Sequence, residues 1–179
     1  MKTIIDYSHH LLKQNITKND IVLDLTVGNG NDTLFLVRIA GFVYGFDIQN
    51  NAIVQTKQRL TGYNNFKLIN DSHEYFNCYI KEKFKAAIFN LGYLPGGDKS
   101  ITTTAATTLV TVKKVLSNLL IDGICVLVVY PGHNQGQCES MVLLNYLTKL
   151  DQSKYRVLKY EYINQINYPP YLLGVRRLQ

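Results

Sequence analysis

A chain of 179 residues, 46% of them hydrophobic and 18% charged, has the length and balance of one ordinary globular domain with room for a sizeable core. Three cysteines, at 78, 125 and 138, are odd in number and lack CxxC or metal-ligand spacing, so a disulfide scaffold is set aside and a reducing cytoplasm is expected. Net charge is +6, from 19 basic and 13 acidic residues, which favours an anionic macromolecular substrate over a neutral metabolite.

The opening Met1-Lys-Thr-Ile-Ile-Asp breaks its apolar character too early for a secretory leader. The most apolar segment, Leu119 to Tyr130, is interrupted at Asp122-Gly123 and is too short to span a bilayer, so no membrane association is expected. Residues 3–14 carry Ile4, Ile5, Leu11 and Leu12 at amphipathic spacing and predict a first helix packing over the cofactor side. His9 and His10 sit on it; no further ligands follow at metal spacing, so they read as surface or pocket-wall residues and no metal is expected.

Ile21 to Leu25 is an apolar run carrying Asp24. It breaks at Gly28 and Gly30 and passes at once into a helical pattern, Leu34, Phe35, Val37 and Arg38. Strand, glycine turn and helix make a nucleotide-type site, because the turn lets a ligand approach the backbone and the helix start offers unpaired N–H groups. Phe42 to Asp47 is a second strand ending in an acid that can accept both ribose hydroxyls, followed by Ile48 and Gln49. A third strand from Phe66 ends in Asp71, Ser72 and His73, where a base could be met.

The turn disfavours a dinucleotide. Thr33 holds the position of the third glycine, and Asp24 and Asp32 would repel a pyrophosphate. They suit an ammonium and a sulfonium, so S-adenosylmethionine (SAM) fits better than NAD. The predicted cofactor contacts are Asp24, Thr26, Gly28, Asn29, Gly30, Asn31, Asp32 and Thr33 in the turn, with Asp47, Ile48, Gln49, Asp71, Ser72, His73 and Asn90 at later strand ends.

Downstream, Ala52 to Leu60 predicts a helix stopped at Gly62, and Tyr75 to Phe84 a short helix or loop. Lys85 to Asn90 predicts a fourth strand. Residues 102–120 are threonine-rich, yet Ala105, Leu109, Val112, Val115, Leu116 and Leu119 recur at helical spacing and predict a helix. Gly123 then turns it into a fifth strand, Ile124 to Tyr130. Gln137 to Leu150 predicts an amphipathic helix with Met141, Val142, Leu144 and Leu147 inward. Tyr155 to Ile163 and Tyr171 to Leu178 close the chain as a hairpin, hence one antiparallel strand. The sum is an α/β, Rossmann-like sheet of seven strands, mostly parallel, with helices on both faces, in one domain over 1–179.

Ligands in open α/β sheets bind beyond the carboxyl ends of the strands. There the fourth strand runs into Asn90-Leu-Gly-Tyr93, then Pro95 and Asp98. This has the spacing of the Asn-Pro-Pro-Tyr motif of methyltransferases acting on exocyclic amines, with Leu91-Gly92 in place of both prolines. Asn90 would orient amine N–H groups, Tyr93 would stack on a base, and Asp98 or His133 would receive the departing proton. An alkylamine nucleophile has a reference pKa of about 10.4, and desolvation beside a sulfonium lowers it. Tyr130 and His133 make a second rim loop; Asn164, Asn167, Tyr168 and Pro170 make a third, a candidate base-binding edge. Basic residues cluster at Lys81, Lys83 and Lys85, at Lys113-Lys114 and at Arg176-Arg177, the middle pair reading as a solvated face.

Four motifs, from Asp24 to Thr33, Asn90 to Lys99, Tyr130 to His133 and Asn164 to Pro170, resemble the YtqB family, which includes the MnmM enzymes and was long labelled as rRNA methylases. The resemblance spans nearly the whole chain. It implies the class I SAM methyltransferase fold, a tRNA anticodon stem-loop substrate, and N-methylation of the 5-aminomethyl group of wobble uridine 34. It also implies a homodimer. The alternatives are rRNA base methylation and a non-catalytic RNA-binding protein of the same fold.

Overall fold

The computed structural model describes residues 1–93, 96 and 102–179. In chain order its elements are α1 (Ile4–Asn15), β1 (Ile21–Asp24), α2 (Asn31–Ile39), β2 (Phe42–Asp47), α3 (Asn50–Arg59) and β3 (Phe66–Asn70). After a 3-10 turn, His73–Tyr75, come α4 (Phe76–Tyr79), β4 (Phe84–Asn90), α5 (Ala105–Asn118), β5 (Leu119–Val129), α6 (Asn134–Leu147), β6 (Tyr155–Tyr160) and β7 (Tyr171–Arg177).

The strands form one sheet in the order β3-β2-β1-β4-β5-β7-β6. All pairings from β3 to β5 are parallel, and β7 runs antiparallel to both neighbours. The expected seven strands and single reversed strand are both present. The strand order reverses between β1 and β4, so the glycine turn after β1 and the loop after β4 open onto the same crevice.

Alternation along the central strands builds two cores. Leu23, Phe89, Leu127 and Leu173 face one layer, closed by Val112, Val115 and Leu116 of α5 and Leu143 and Leu147 of α6. Val22, Ile88, Val126 and Leu172 face the other, closed by Ile4 and Leu12 of α1 and Leu36 and Val37 of α2. Burial on both faces explains why these strands read as continuous apolar runs.

Two expectations shift. The threonine-rich helix ends at Asn118, and Leu119 already pairs with Phe84 in β5. The register then slips before Ala86 pairs with Ile124, and the slack is taken up at Asp122, at φ 59°. A Cβ at Gly123 would lie 2.8 Å from both Leu120 O and Lys85 O, so the bulge admits only glycine there. Gly123 is thus a bulge inside β5 and not its start. In α6 the buried residues are Gly136, Glu139, Ser140, Leu143 and Leu147, while Met141 is 65% exposed. Hydrophobicity alone predicts methionine inward; two polar residues, Glu139 and Ser140, occupy that face because they find partners there.

Candidate active site

A cavity of about 660 Å³ opens beyond the carboxyl ends of β1, β2 and β4. Its floor is the glycine turn, stitched to both neighbouring strands: Leu25 N–H donates to Ile88 O at 2.9 Å and Val27 N–H to Phe46 O at 3.0 Å. Gly30 caps α2 at φ 77°, and a Cβ there would meet Thr56 Oγ1 at 2.5 Å. No side-chain residue fits that position without displacing α3.

Asp24 is buried beneath the turn. Its Oδ2 accepts Thr33 Oγ1–H at 2.5 Å and its Oδ1 the Thr26 amide at 3.2 Å. Thr33, the residue that spoils a dinucleotide fingerprint, is therefore the lock on the buried acid. Burial, and secondarily the nearby Asp32, push the Asp24 carboxyl up to about 7 against those hydrogen bonds. Asp24, Gly30 and Thr33 thus shape the floor without lining the cavity.

Asp47 does line it. Its Oδ2 accepts the Gly28 amide and its Oδ1 the Gln49 amide, each at 2.8 Å. Burial raises its pKa, with the two amides working the other way. Asp71 accepts Tyr79 O–H at 2.7 Å and the Ser72 amide at 2.7 Å. His73 is pushed down to about 4 by burial, and its Nδ1 pairs with Thr111 Oγ1 at 2.9 Å, so it is a neutral wall. Thr26, Gly28, Asn29, Asn31, Ile48 and Gln49 complete this half of the lining, together with Ser72. Three carboxylates, Asp32, Asp47 and Asp71, face the cavity, and among the described residues no lysine or arginine does. Such a site holds a cationic ligand and repels a phosphate.

Asn90 ends β4 at the boundary between the two halves. Its amide N–H donates to Thr26 Oγ1 at 2.6 Å, and its Nδ2 donates to Asp32 Oδ2 at 3.2 Å. A carboxylate can only face the NH2 end of the side chain, so Oδ1 is left as the acceptor. Asp32 is itself held by His9 of α1, with Nε2 2.7 Å from Oδ1. Sequence periodicity left His9 as a pocket-wall residue and gave no sign of this pairing.

Beyond Asn90, Tyr93 and Tyr130 line the outer cavity with His133, whose ring centroid is 5.8 Å from that of Tyr93. His133 caps α6: its Nδ1 accepts the Gly136 amide at 3.1 Å, and its buried Nε2 has no partner among the described residues. A proton arriving at Nδ1 would have to displace that cap. Asn167, Tyr168 and Pro170 also line the cavity, whereas Asn164 is exposed and lies outside its lining. Pro95 and Asp98 lie outside the described residues.

For the threonines after the loop the sequence predicts only a helix. Thr102, Thr103, Thr104 and Thr107 in fact line the cavity. Thr103 Oγ1 receives the Gly92 amide at 2.9 Å and donates to Glu139 Oε2 at 3.0 Å, while Thr108 Oγ1 donates to Glu139 Oε1 at 2.6 Å. Glu139 is 2% exposed, and burial raises its pKa. The signal for it was an acid on the i, i+4, i+8 line of Leu143 and Leu147.

The basic clusters stand apart from the cavity. Lys114 Nζ donates to Glu74 O at 2.7 Å, Arg176 pairs with Asp122 at 3.0 Å, and Arg177 donates to Leu119 O at 2.7 Å. With Lys81 Nζ also donating to Asn77 O at 2.8 Å, each of the three clusters has a member engaged by the fold, and Lys114 is not merely solvated.

Residues 43–176 match the family described as "Putative rRNA methylase". The chain is 36% identical to the Arabidopsis thaliana protein named tRNA (mnm(5)s(2)U34)-methyltransferase, chloroplastic, across 92% of this chain and 66% of that protein, just under two thirds of its length. A Streptococcus mutans protein described as a putative methyltransferase, crystallised with SAH, superposes at TM-score 0.94 with 42% identity over 99% of both chains. A Clostridium thermocellum protein described as a putative rRNA-methylase does so at 0.96 and 40%, again over 99% of both.

Proposed function

The chain belongs to the family described as "Putative rRNA methylase", and from that premise we propose that it transfers a methyl group from SAM to the 5-aminomethyl nitrogen of wobble uridine 34 in tRNA. The observation that carries the cofactor assignment is the cavity itself: about 660 Å³, three facing carboxylates and, among the described residues, no facing lysine or arginine. When bound, SAM supplies an electrophilic methyl beside a positive charge. The Arabidopsis relative's name supports the substrate assignment, as does the motif resemblance.

The chain's own residues divide the work. Asp47, fixed by two backbone amides, offers its remaining lone pairs to ribose hydroxyls. Asp71, Ser72 and His73 border the base of the cofactor. Asn90 Oδ1 accepts an N–H of the incoming amine and so points the nitrogen lone pair along the transfer line. Tyr93, with Asn167, Tyr168 and Pro170, presents flat and apolar surface to an unstacked base. With His133 committed as a cap, the departing proton is assigned to Asp98.

A homodimer is part of the same reading. The outer strand β6 presents Val157 at 36% and Leu158 at 39% exposure on an edge that pairs with no further strand among the described residues. Cytoplasmic residence is supported by three free cysteines; the Arabidopsis relative is named as chloroplastic. Among the described residues no helix is long and apolar enough to cross a membrane.

The test is methyl transfer from labelled SAM to tRNA and to ribosomal RNA from cells lacking the protein, followed by nucleoside mass analysis. Conversion of aminomethyl- to methylaminomethyluridine is expected. Label confined to rRNA would replace the tRNA reading with base methylation, which the family description favours.

A further inference from the structure

We propose that His9 and Asp32 form a positioning pair that sets the orientation of Asn90, which makes the first helix a working part of the methyl-transfer site. The proposal rests on the reading of Asn90 given above and deepens it.

Asn90 has little freedom in its backbone, because its amide is tied to Thr26 Oγ1 at 2.6 Å. What remains is rotation of the carboxamide, and Asp32 governs it. With Nδ2 toward Asp32 Oδ2, at 3.2 Å, the oxygen is free to accept an amine N–H. The flipped amide would set two oxygens against each other beside a carboxylate, which is repulsive. Asp32 can do this only if its own carboxylate is fixed, and it is 6% exposed, close to Asp24. A buried carboxylate needs hydrogen-bond partners. Its Oδ1 finds one in His9 Nε2 at 2.7 Å, which leaves Oδ2 for Asn90.

The His9 ring is held in turn. It stacks on Phe35 of α2, centroids 4.0 Å apart and planes 2° apart, one turn beyond Asp32 on the same helix. Yet His9 is not what anchors α1, whose apolar attachment runs through Ile4 and Leu12 in the core. The histidine side chain keeps 24% exposure. Its removal should therefore spare the docking of the helix and release Asp32.

The experiment compares His9→Ala, His9→Gln and the wild-type protein, full length, with tRNA bearing aminomethyluridine. For His9→Ala, kcat is expected to fall about ten- to a hundredfold with KM for SAM within about twofold, since a misplaced acceptor costs alignment and not ground-state binding. His9→Gln should recover most of the rate, because its amide N–H can donate to Asp32 Oδ1. A second readout needs no turnover: the Asn90 side-chain NH2 pair in a nitrogen-correlated NMR spectrum, identified by its loss in Asn90→Ala. It should be protected from exchange in the wild type and in His9→Gln, and unprotected in His9→Ala. Wild-type kcat with an unchanged Asn90 signal in His9→Ala would overturn the pair, and so would equal rate losses in both variants with that signal unmoved. If the wild type methylates no aminomethyluridine, the functional reading fails, and the Asn90 signal still decides whether the pair exists.

Discussion

Asp47 closes the glycine turn from the neighbouring strand: its Oδ2 accepts the Gly28 amide at 2.8 Å, across 19 residues of sequence. One carboxylate thus holds the turn in shape and faces the cavity. Asp47→Ala removes both a charge-assisted acceptor and a tether, and charge-assisted bonds contribute about 1.5–3 kcal/mol each. SAM affinity measured by calorimetry is expected to fall at least about tenfold. Unchanged affinity would remove Asp47 from the ribose contact.

Asn90→Ala should act on a different step. Asn90 contributes its backbone amide to Thr26 and its side chain to Asp32, and the alanine variant keeps the first. Turnover should drop about a hundredfold while SAM affinity stays within about threefold, as expected for an interaction that aligns the nucleophile. Single-turnover kinetics with saturating RNA and calorimetry with SAM separate the two. Full activity in the variant would take Asn90 out of the mechanism.

The raised Asp24 carboxyl should make cofactor affinity depend on pH. Its carboxyl sits at about 7, raised by burial and then by Asp32 from an ordinary 3.8. In that window the folded protein holds a proton the unfolded chain has released. The associated stability is full below about pH 4 and is lost as pH rises through about 7. His73, pushed down from 6.5 to about 4 by burial, contributes in the opposite sense, its stability being lost as pH falls from 6.5 toward 4. The wild-type profile mixes both with the carboxyls of Asp47 and Glu139, which burial also raises, and the difference between wild type and Asp24→Asn isolates Asp24. A cation seated above the turn favours ionised Asp24, so SAM affinity should rise from about pH 5.5 to about pH 7.5 and then level. Asp24→Asn should flatten that rise in calorimetric titrations. A slope of equal size in the variant would assign the titration elsewhere.

What the sequence made readable was the set of residues at strand ends. Asp24, Asp47, Asp71 and Asn90 each close an apolar run, and a parallel sheet brings such ends to one rim whatever the loops do. Pairings between elements were not readable. His9 and Asp32 are 23 residues apart on different helices, and nothing in either helical pattern ties them. Thr33 was visible as the wrong residue for a dinucleotide, but its hydroxyl's hold on Asp24 depends on the turn's three-dimensional path. On the face of α6 hydrophobicity ranks Met141 above Glu139, whereas burial there follows partners: Thr103 and Thr108 for Glu139, Tyr171 for Ser140. The start of β5 is hidden in the sequence because the Asp122-Gly123 pair has the composition of a turn, and only the register shift against β4 reveals a bulge.

Glu139 gives the last prediction, because it connects α6 to the substrate half of the cavity without lining it. Through Thr103 Oγ1 it holds the Gly92 amide, one residue before Tyr93 and two after Asn90. Replacing it with alanine leaves two hydroxyls without their acceptor in a buried site, at a cost of about 2–4 kcal/mol in unfolding free energy. Glu139→Gln keeps one carbonyl acceptor and should cost less, about 1–2 kcal/mol. At temperatures where both variants are folded, the loosened segment after Asn90 should raise KM for RNA about three- to tenfold and leave SAM affinity unchanged. Asp47 and the glycine turn share no hydrogen bond with Glu139, which is why the two ligands should part company. If SAM affinity fell in step with RNA affinity, Glu139 would be bracing the whole rim, and the division of the cavity into a cofactor half and a substrate half at Asn90 would have to be redrawn.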